Sequence, residues 1–174
     1  MERVAILGTG LIGGSIGLGL SASDPAVEVV GYDRDPAAAE AALRAGAVQA
    51  VEAGPAAAAA EADLVVLAAP VDATQHLVAE LQGHVAGGAV VTDVGSAKAA
   101  AVAVGERAFG RSFVGGHPMA GSERHGIDAA SPDLFRDAWW ILTPTRTTAP
   151  EAYARVADLA GRLGAKPVAV SPSR

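Results

Sequence analysis

Arg3-Val4-Ala5-Ile6-Leu7-Gly8-Thr9-Gly10-Leu11-Ile12-Gly13 is the stretch whose reading decides the fold. Val4 to Leu7 is a continuous apolar run and reads as a strand buried on both faces; a helical stretch near Leu11–Ser21 follows directly. Between them, Gly8 permits a tight strand-to-helix turn. Gly10 lacks a Cβ, so a diphosphate can approach the backbone, and Gly13 allows close helix–sheet packing that Gly17 extends one turn later. The helix start, with Leu11 and Ile12 in its first turn, offers free N–H groups and a partial positive charge to an anion. In a chain with 21 glycines such a string arises easily by chance, so its place at the first βα turn gives it weight.

Asp33 adds to that weight. It stands twenty residues after Gly13, at the end of the next apolar run, where a carboxylate accepts hydrogen bonds from ribose hydroxyls. Beside it a 2′-phosphate would meet like-charge repulsion and lose hydrogen bonds worth about 1.5–3 kcal/mol. NAD is therefore the expected cofactor and NADP the less favoured one. Arg34 leaves that choice open: it could pair with a 2′-phosphate, lie on the adenine face, or be a solvated surface arginine. Ala69 and Pro70, at the end of a later strand, suit the floor of a ligand crevice, though an ordinary strand-ending turn has the same composition.

Working outward, apolar runs alternate with helical stretches. Strands are predicted at Arg3–Leu7, Glu28–Tyr32, Asp63–Ala68, Ala89–Thr92 and Phe113–Gly115, with a short one near Val48–Val51. Helices are predicted at Leu11–Ser21, Pro36–Ala45, Asp72–Gln82 and Ala97–Phe109. Asp35 before Pro36 reads as an N-cap, Gly46 as a C-terminal stop, and Asp72 as a cap for the helix that carries His76. This order predicts an α/β fold, a doubly wound, mostly parallel sheet of Rossmann type. A C-terminal strand–helix–strand extension follows at Trp139–Thr143, Pro150–Leu163 and Lys166–Val170. One domain over residues 1–170 is expected, with 171–174 as a linker or truncation point.

Composition narrows the function. A net charge of −6 argues against a nucleic-acid partner, which calls for clustered Lys and Arg. No apolar run approaches the ~20 residues of a membrane span, and no signal segment precedes Val4, so a cytoplasmic protein with no membrane partner is expected. The absence of cysteine removes disulfides, thiolate zinc sites and a Cys nucleophile, and no metal site is expected.

Two later segments carry side chains suited to chemistry: Asp93-Val94-Gly95-Ser96-Ala97-Lys98 and His117-Pro118-Met119-Ala120-Gly121-Ser122-Glu123. Each follows a predicted strand, where a nicotinamide ring would project if the adenine half lies near Asp33. A hydroxyl (Ser96) and an imidazole (His117) facing that ring are suited to oxidising an alcohol. Imidazole, with a reference pKa near 6.5, takes the hydroxyl proton while hydride leaves carbon.

Together with Gly8–Ser15, Gly31-Tyr32-Asp33-Arg34 and Ile141-Leu142-Thr143-Pro144-Thr145, these segments resemble the prephenate/arogenate dehydrogenase family of tyrosine biosynthesis, in order along nearly the whole chain. The resemblance implies NAD-dependent oxidative decarboxylation of prephenate to 4-hydroxyphenylpyruvate. On it, His117 accepts a hydrogen bond from the ring hydroxyl, Ser96 orients His117 and substrate or nicotinamide, and Ser122 and Glu123 line the substrate entrance. It also implies a helical C-terminal domain that forms a homodimer and supplies substrate contacts. Nothing after Val170 matches that domain, so the chain alone is expected to bind NAD(H) and turn over prephenate poorly.

Other readings stay in play. Arogenate could be the substrate, or the chain could be a β-hydroxyacid-type dehydrogenase, which would use a helical lysine after the catalytic region. A non-catalytic dinucleotide-sensing module would need the glycine turn and Asp33 but not Ser96 with His117. Ser96 could also cap the following helix, and Lys98 could be an exposed first-turn lysine. His76 reads as a surface or packing residue, His84 carries no assigned role, and His125 could touch substrate. Trp139 and Trp140 should point to opposite faces of their strand.

Overall fold

The computed structural model describes residues 1–171. Its elements are β1 (Arg3–Leu7), α1 (Leu11–Ser23), β2 (Glu28–Tyr32), α2 (Pro36–Arg44), β3 (Ala50–Val51), α3 (Pro55–Ala59) and β4 (Leu64–Leu67). They continue as α4 (Val71–Leu81), β5 (Val90–Asp93), α5 (Lys98–Phe109), β6 (Phe113–Pro118), β7 (Trp139–Thr143), α6 (Pro150–Arg162) and β8 (Lys166–Ala169). One sheet holds all eight strands in the order β3-β2-β1-β4-β5-β6-β7-β8. The strands up to β6 pair in parallel, β7 runs antiparallel to β6, and β8 is parallel to β7. The expected doubly wound sheet and its strand–helix–strand extension are both present. The linker assigned to 171–174 lies, beyond Ser171, outside the described residues.

Period-two alternation explains the two layers of helices. Along β1, Val4 and Ile6 join the core under α1, α2 and α6, while Ala5 and Leu7 join the core under α3 and α4. All four are fully buried. Burying one large aliphatic side chain contributes about 1.5–3 kcal/mol. An exposed pair such as Arg44–Glu40 contributes at most about 1 kcal/mol. The sheet interior therefore sets the architecture. At the extension, Trp140 is buried against Phe135 with ring centroids 5.1 Å apart, while its neighbour Trp139 is 56% exposed, as the alternation requires.

Several local expectations hold. Asp35 accepts a hydrogen bond from the N–H of Ala37 at 2.9 Å as the N-cap of α2, and Gly46 follows that helix with φ +75°. Three differ. Asp72 does not cap α4: the helix starts one residue earlier, Pro70 is the cap, and Asp72 sits in the first turn. Ser96 does not cap α5, whose cap is Ala97 with no side-chain hydrogen bond. The helix α3 was not foreseen. Five residues are too few to be stable by propensity, and this one forms because Ala58 and Ala59 are buried in the core shared with Ala5 and Val30.

The entry into β1 is held by a carboxylate. Asp63 accepts hydrogen bonds from the N–H groups of Glu2 (2.6 Å) and Arg3 (3.0 Å). Those two bonds, Glu2 first, hold its carboxyl below the usual 3.8 against a smaller opposing effect of burial. A depressed carboxyl stabilises the fold above the ordinary value and loses that contribution as pH falls through the folded value. Asp63→Asn should therefore lower the melting temperature at neutral pH and match the parent protein in strong acid. A deficit that is the same at every pH would contradict the assignment.

Candidate active site

The sheet order reverses at β1, whose neighbours are β2 and β4, and a cavity of about 450 Å³ opens where these strands end. Gly8, Gly10, Asp33, Arg34, Ala69 and Pro70 all line it, six of the residues singled out for cofactor binding. Gly8 has φ +105°, and a Cβ there would lie 2.6 Å from the Ala68 carbonyl oxygen. A Cβ at Gly13 would overlap the Gly8 carbonyl oxygen, so Gly13 is where the helix presses onto the turn. Gly10 is different: a Cβ there meets nothing within 4 Å. No protein packing requires a glycine at 10, and its bare backbone faces open space. Leu11 and Ile12 lie half-buried at the start of α1.

The Asp33 carboxylate is held in place. Oδ2 accepts from the Thr9 N–H (2.8 Å) and the Thr9 hydroxyl (3.2 Å), and Oδ1 accepts from the Asp35 N–H (3.0 Å). A carboxylate has about four acceptor positions, so Asp33 keeps capacity for a hydroxyl ligand on the Oδ1 side. Arg34 is exposed and has no ion-pair partner among the described residues. The opposite wall comes from α4: Ala73, His76, Leu77 and Glu80, with the His76 ring tied to the Asp72 carbonyl at 3.2 Å. His76, assigned to surface or packing by its amphipathic helix, is thus a cavity residue, and Glu80 was not singled out at all. Their spacing of three and four marks one helix face, but only the path of α4 away from the crevice makes that face the lining.

Ser96, His117, Ser122 and Glu123 do not line this cavity; they belong to the ends of β5 and β6. His117 was expected just beyond its strand, which was predicted to end at Gly115. It lies instead in β6, paired opposite Ile141 of β7. Parallel pairing with β5 stops at Val114, and antiparallel pairing with β7 carries the strand on to Pro118. The imidazole is therefore mounted on sheet backbone. Its Nδ1 lies 3.4 Å from the Val94 carbonyl oxygen. A carbonyl only accepts, so this contact calls for the proton on Nδ1 and leaves Nε2, which has no partner among the described residues, as the acceptor.

Ser96 is exposed, and its hydroxyl has no protein partner among the described residues; the ring's direct contact is Val94. Ser122 and Glu123 are exposed on the segment after β6, where Ser122 Oγ accepts from the Arg124 N–H at 3.0 Å. That segment then docks on α1: the Ser131 N–H donates to Ser15 Oγ at 3.0 Å, and Ile127 covers Gly14, where a Cβ would overlap it. Lys98 is not an exposed lysine. Its side chain is 9% exposed and pairs with buried Asp93. Burial lowers the Lys98 pKa, and the neighbouring Asp93 carboxylate opposes that shift.

Residues 16–169 match the family described as prephenate dehydrogenase, nucleotide-binding domain. The chain is 37% identical over 147 residues to a prephenate dehydrogenase of Lactococcus lactis, covering 82% of this chain and 41% of that protein. Its fold superposes with a TM-score of 0.94 on a prephenate dehydrogenase of Aquifex aeolicus, solved with hydroxyphenyl propionate and NAD+. That pair shares 31% identity, and the match covers 99% of this chain and 61% of the other. A Synechocystis arogenate dehydrogenase is similar at a TM-score of 0.92 and 30% identity, over 98% and 60% of the two chains. The chain thus spans less than two thirds of each relative.

The two glycines separate packing from ligand space. Gly13→Ala should cost about 1–3 kcal/mol of stability through forced overlap, while Gly10→Ala should stay within about 1 kcal/mol of the parent. Equal losses in thermal unfolding would contradict this geometry.

Proposed function

The chain belongs to the prephenate dehydrogenase family, and on that premise we propose that it is the NAD-binding, catalytic half of an enzyme that oxidatively decarboxylates prephenate to 4-hydroxyphenylpyruvate. The observation that carries the reading is the His117 ring, fixed through Nδ1 and free at Nε2, at the end of a strand on the cofactor side of the sheet.

The residues present fit a dinucleotide. Gly10 opens bare backbone onto the cavity, the N-terminus of α1 supplies unpaired N–H groups for a diphosphate, and Asp33 retains acceptor capacity for ribose hydroxyls. A carboxylate at that point disfavours a 2′-phosphate, so NAD rather than NADP is the cofactor we assign. NAD, when bound, supplies the hydride acceptor.

The protein's own task is orientation and one proton. His117 Nε2 accepts the proton of the substrate ring hydroxyl as the carbon bearing it is oxidised, and loss of the ring carboxylate as CO2 makes the product aromatic. Because aromatisation drives the reaction, a well-placed acceptor is the main demand on the site. Ser96 offers an exposed hydroxyl to substrate or nicotinamide, and Ser122 and Glu123 line the approach. Homodimerisation of the complete protein, and selection between prephenate and arogenate, we assign to sequence that its longer relatives carry and this chain does not match.

Two other readings fare worse. A β-hydroxyacid-type enzyme would use a helical lysine as its main acid/base, whereas the acid/base candidate in this chain is His117, mounted on β6. A dinucleotide sensor has no use for an imidazole held with one nitrogen free.

In the complete natural protein, His117→Asn should lose about 10²–10⁴ in kcat with NAD affinity by calorimetry nearly unchanged. A loss confined to NAD binding would refute the proton-acceptor role. Asp33→Ser should weaken NAD roughly ten- to a hundredfold and narrow its advantage over NADP; an unchanged preference would remove Asp33 from cofactor selection.

A further inference from the structure

We infer that the buried Asp93–Lys98 pair is a positioning clamp for His117, acting through the backbone on both sides of that residue's attachment to the sheet. The inference rests on the reading of His117 as the proton acceptor and adds the parts that aim it.

The geometry is convergent. Lys98 Nζ donates to the Gly116 carbonyl oxygen at 2.5 Å and pairs with Asp93 Oδ2, while the Gly116 N–H donates to Asp93 Oδ1 at 3.2 Å. Gly116 immediately precedes His117, and its carbonyl belongs to the peptide plane that carries the His117 nitrogen. One ion pair therefore grips both polar groups of that residue. The same carboxylate also holds the other contact of the ring: Asp93 Oδ2 accepts from the Gly95 N–H at 3.0 Å. That bond closes the turn bearing Val94, whose carbonyl meets His117 Nδ1. Both the mount of the imidazole and the acceptor that sets its tautomer thus depend on Asp93, and Lys98 holds Asp93.

Stability alone is a weak reason for this arrangement. The two side chains are 3% and 9% exposed, and an apolar pair of similar volume is often as stable as a buried ion pair. What apolar residues cannot do is fix a carbonyl and two N–H groups in direction. A misplacement on the scale of one ångström costs on the order of a hundredfold in rate, which makes that fixation matter to turnover.

The test is a double-mutant cycle in the complete protein, with the His117 ring read directly. Lys98→Met should lower kcat by roughly 10–100-fold with NAD affinity nearly unchanged. In a His117→Asn background the same substitution should cost less than about a further twofold, because its effect passes through the imidazole. By ¹⁵N shifts, His117 should be a single Nδ1–H tautomer in the parent and a mixture in Lys98→Met. Should Lys98→Met unfold the protein by stranding the Asp93 carboxylate, Asp93→Asn/Lys98→Met removes both charges and is read the same way. An equal loss in both backgrounds would mean that Lys98 touches substrate or cofactor itself. That result, or an unchanged tautomer, overturns the clamp. If His117→Asn alone keeps full turnover, the proton-acceptor reading fails, and the tautomer measurement still decides the clamp.

Discussion

The turn at Gly8 is the constraint on which the rest depends. At φ +105° it sends the chain from β1 into α1 inside the crevice between β2 and β4. There is no room for a side chain, because the Ala68 carbonyl oxygen stands 2.6 Å from where a Cβ would be. The turn is stitched to both neighbours: the Gly8 N–H donates to Tyr32 and the Ala68 N–H donates to Leu7, each at 2.8 Å. A residue with a side chain would suffer both the backbone strain and the collision. With glycine, the start of α1 lands at the point where a doubly wound sheet opens to a ligand.

From that point the site is built in two ways. The cavity we assign to the cofactor is made by leaving things out: a bare backbone at Gly10, small residues at Ala68 and Ala69, and one carboxylate fastened by Thr9 and Asp35. The half that carries His117 is made by buried polar contacts instead. There β6 outruns its parallel partner, gains an antiparallel one, and presents an imidazole from a strand backed by an ion pair. The residues after β6 return to rest on Gly14 and Ser15 of α1, so the helix that opens onto the crevice also seats the segment following Ser122 and Glu123.

What the sequence made legible follows from periodicity and sterics. Continuous apolar strands, an Asp35-Pro36 helix start and a glycine at 46 are local codes, and each was read correctly because its cause lies within a few residues. The misreadings share the opposite cause. The helix α3 exists only because the core accepts Ala58 and Ala59; His76 and Glu80 face a cavity only because α4 leaves the crevice at that angle; Lys98 is buried only because β6 lies beside it. Ser96 and Asp72 have the composition of caps, yet the chain starts each helix elsewhere.

By itself the sequence determined the fold class, the glycine turn, the acidic residue at the second strand and the two segments that bear Ser96 and His117, since residue type and spacing are enough to specify them. Only the tertiary structure decided that His117 sits on a strand rather than just beyond one, which of its nitrogens is free, and that Asp93 and Lys98 close on Gly116. The reason is physical: those outcomes require side chains and backbone groups separated by 18 and 23 residues to meet within hydrogen-bonding distance, and no local propensity encodes such a meeting.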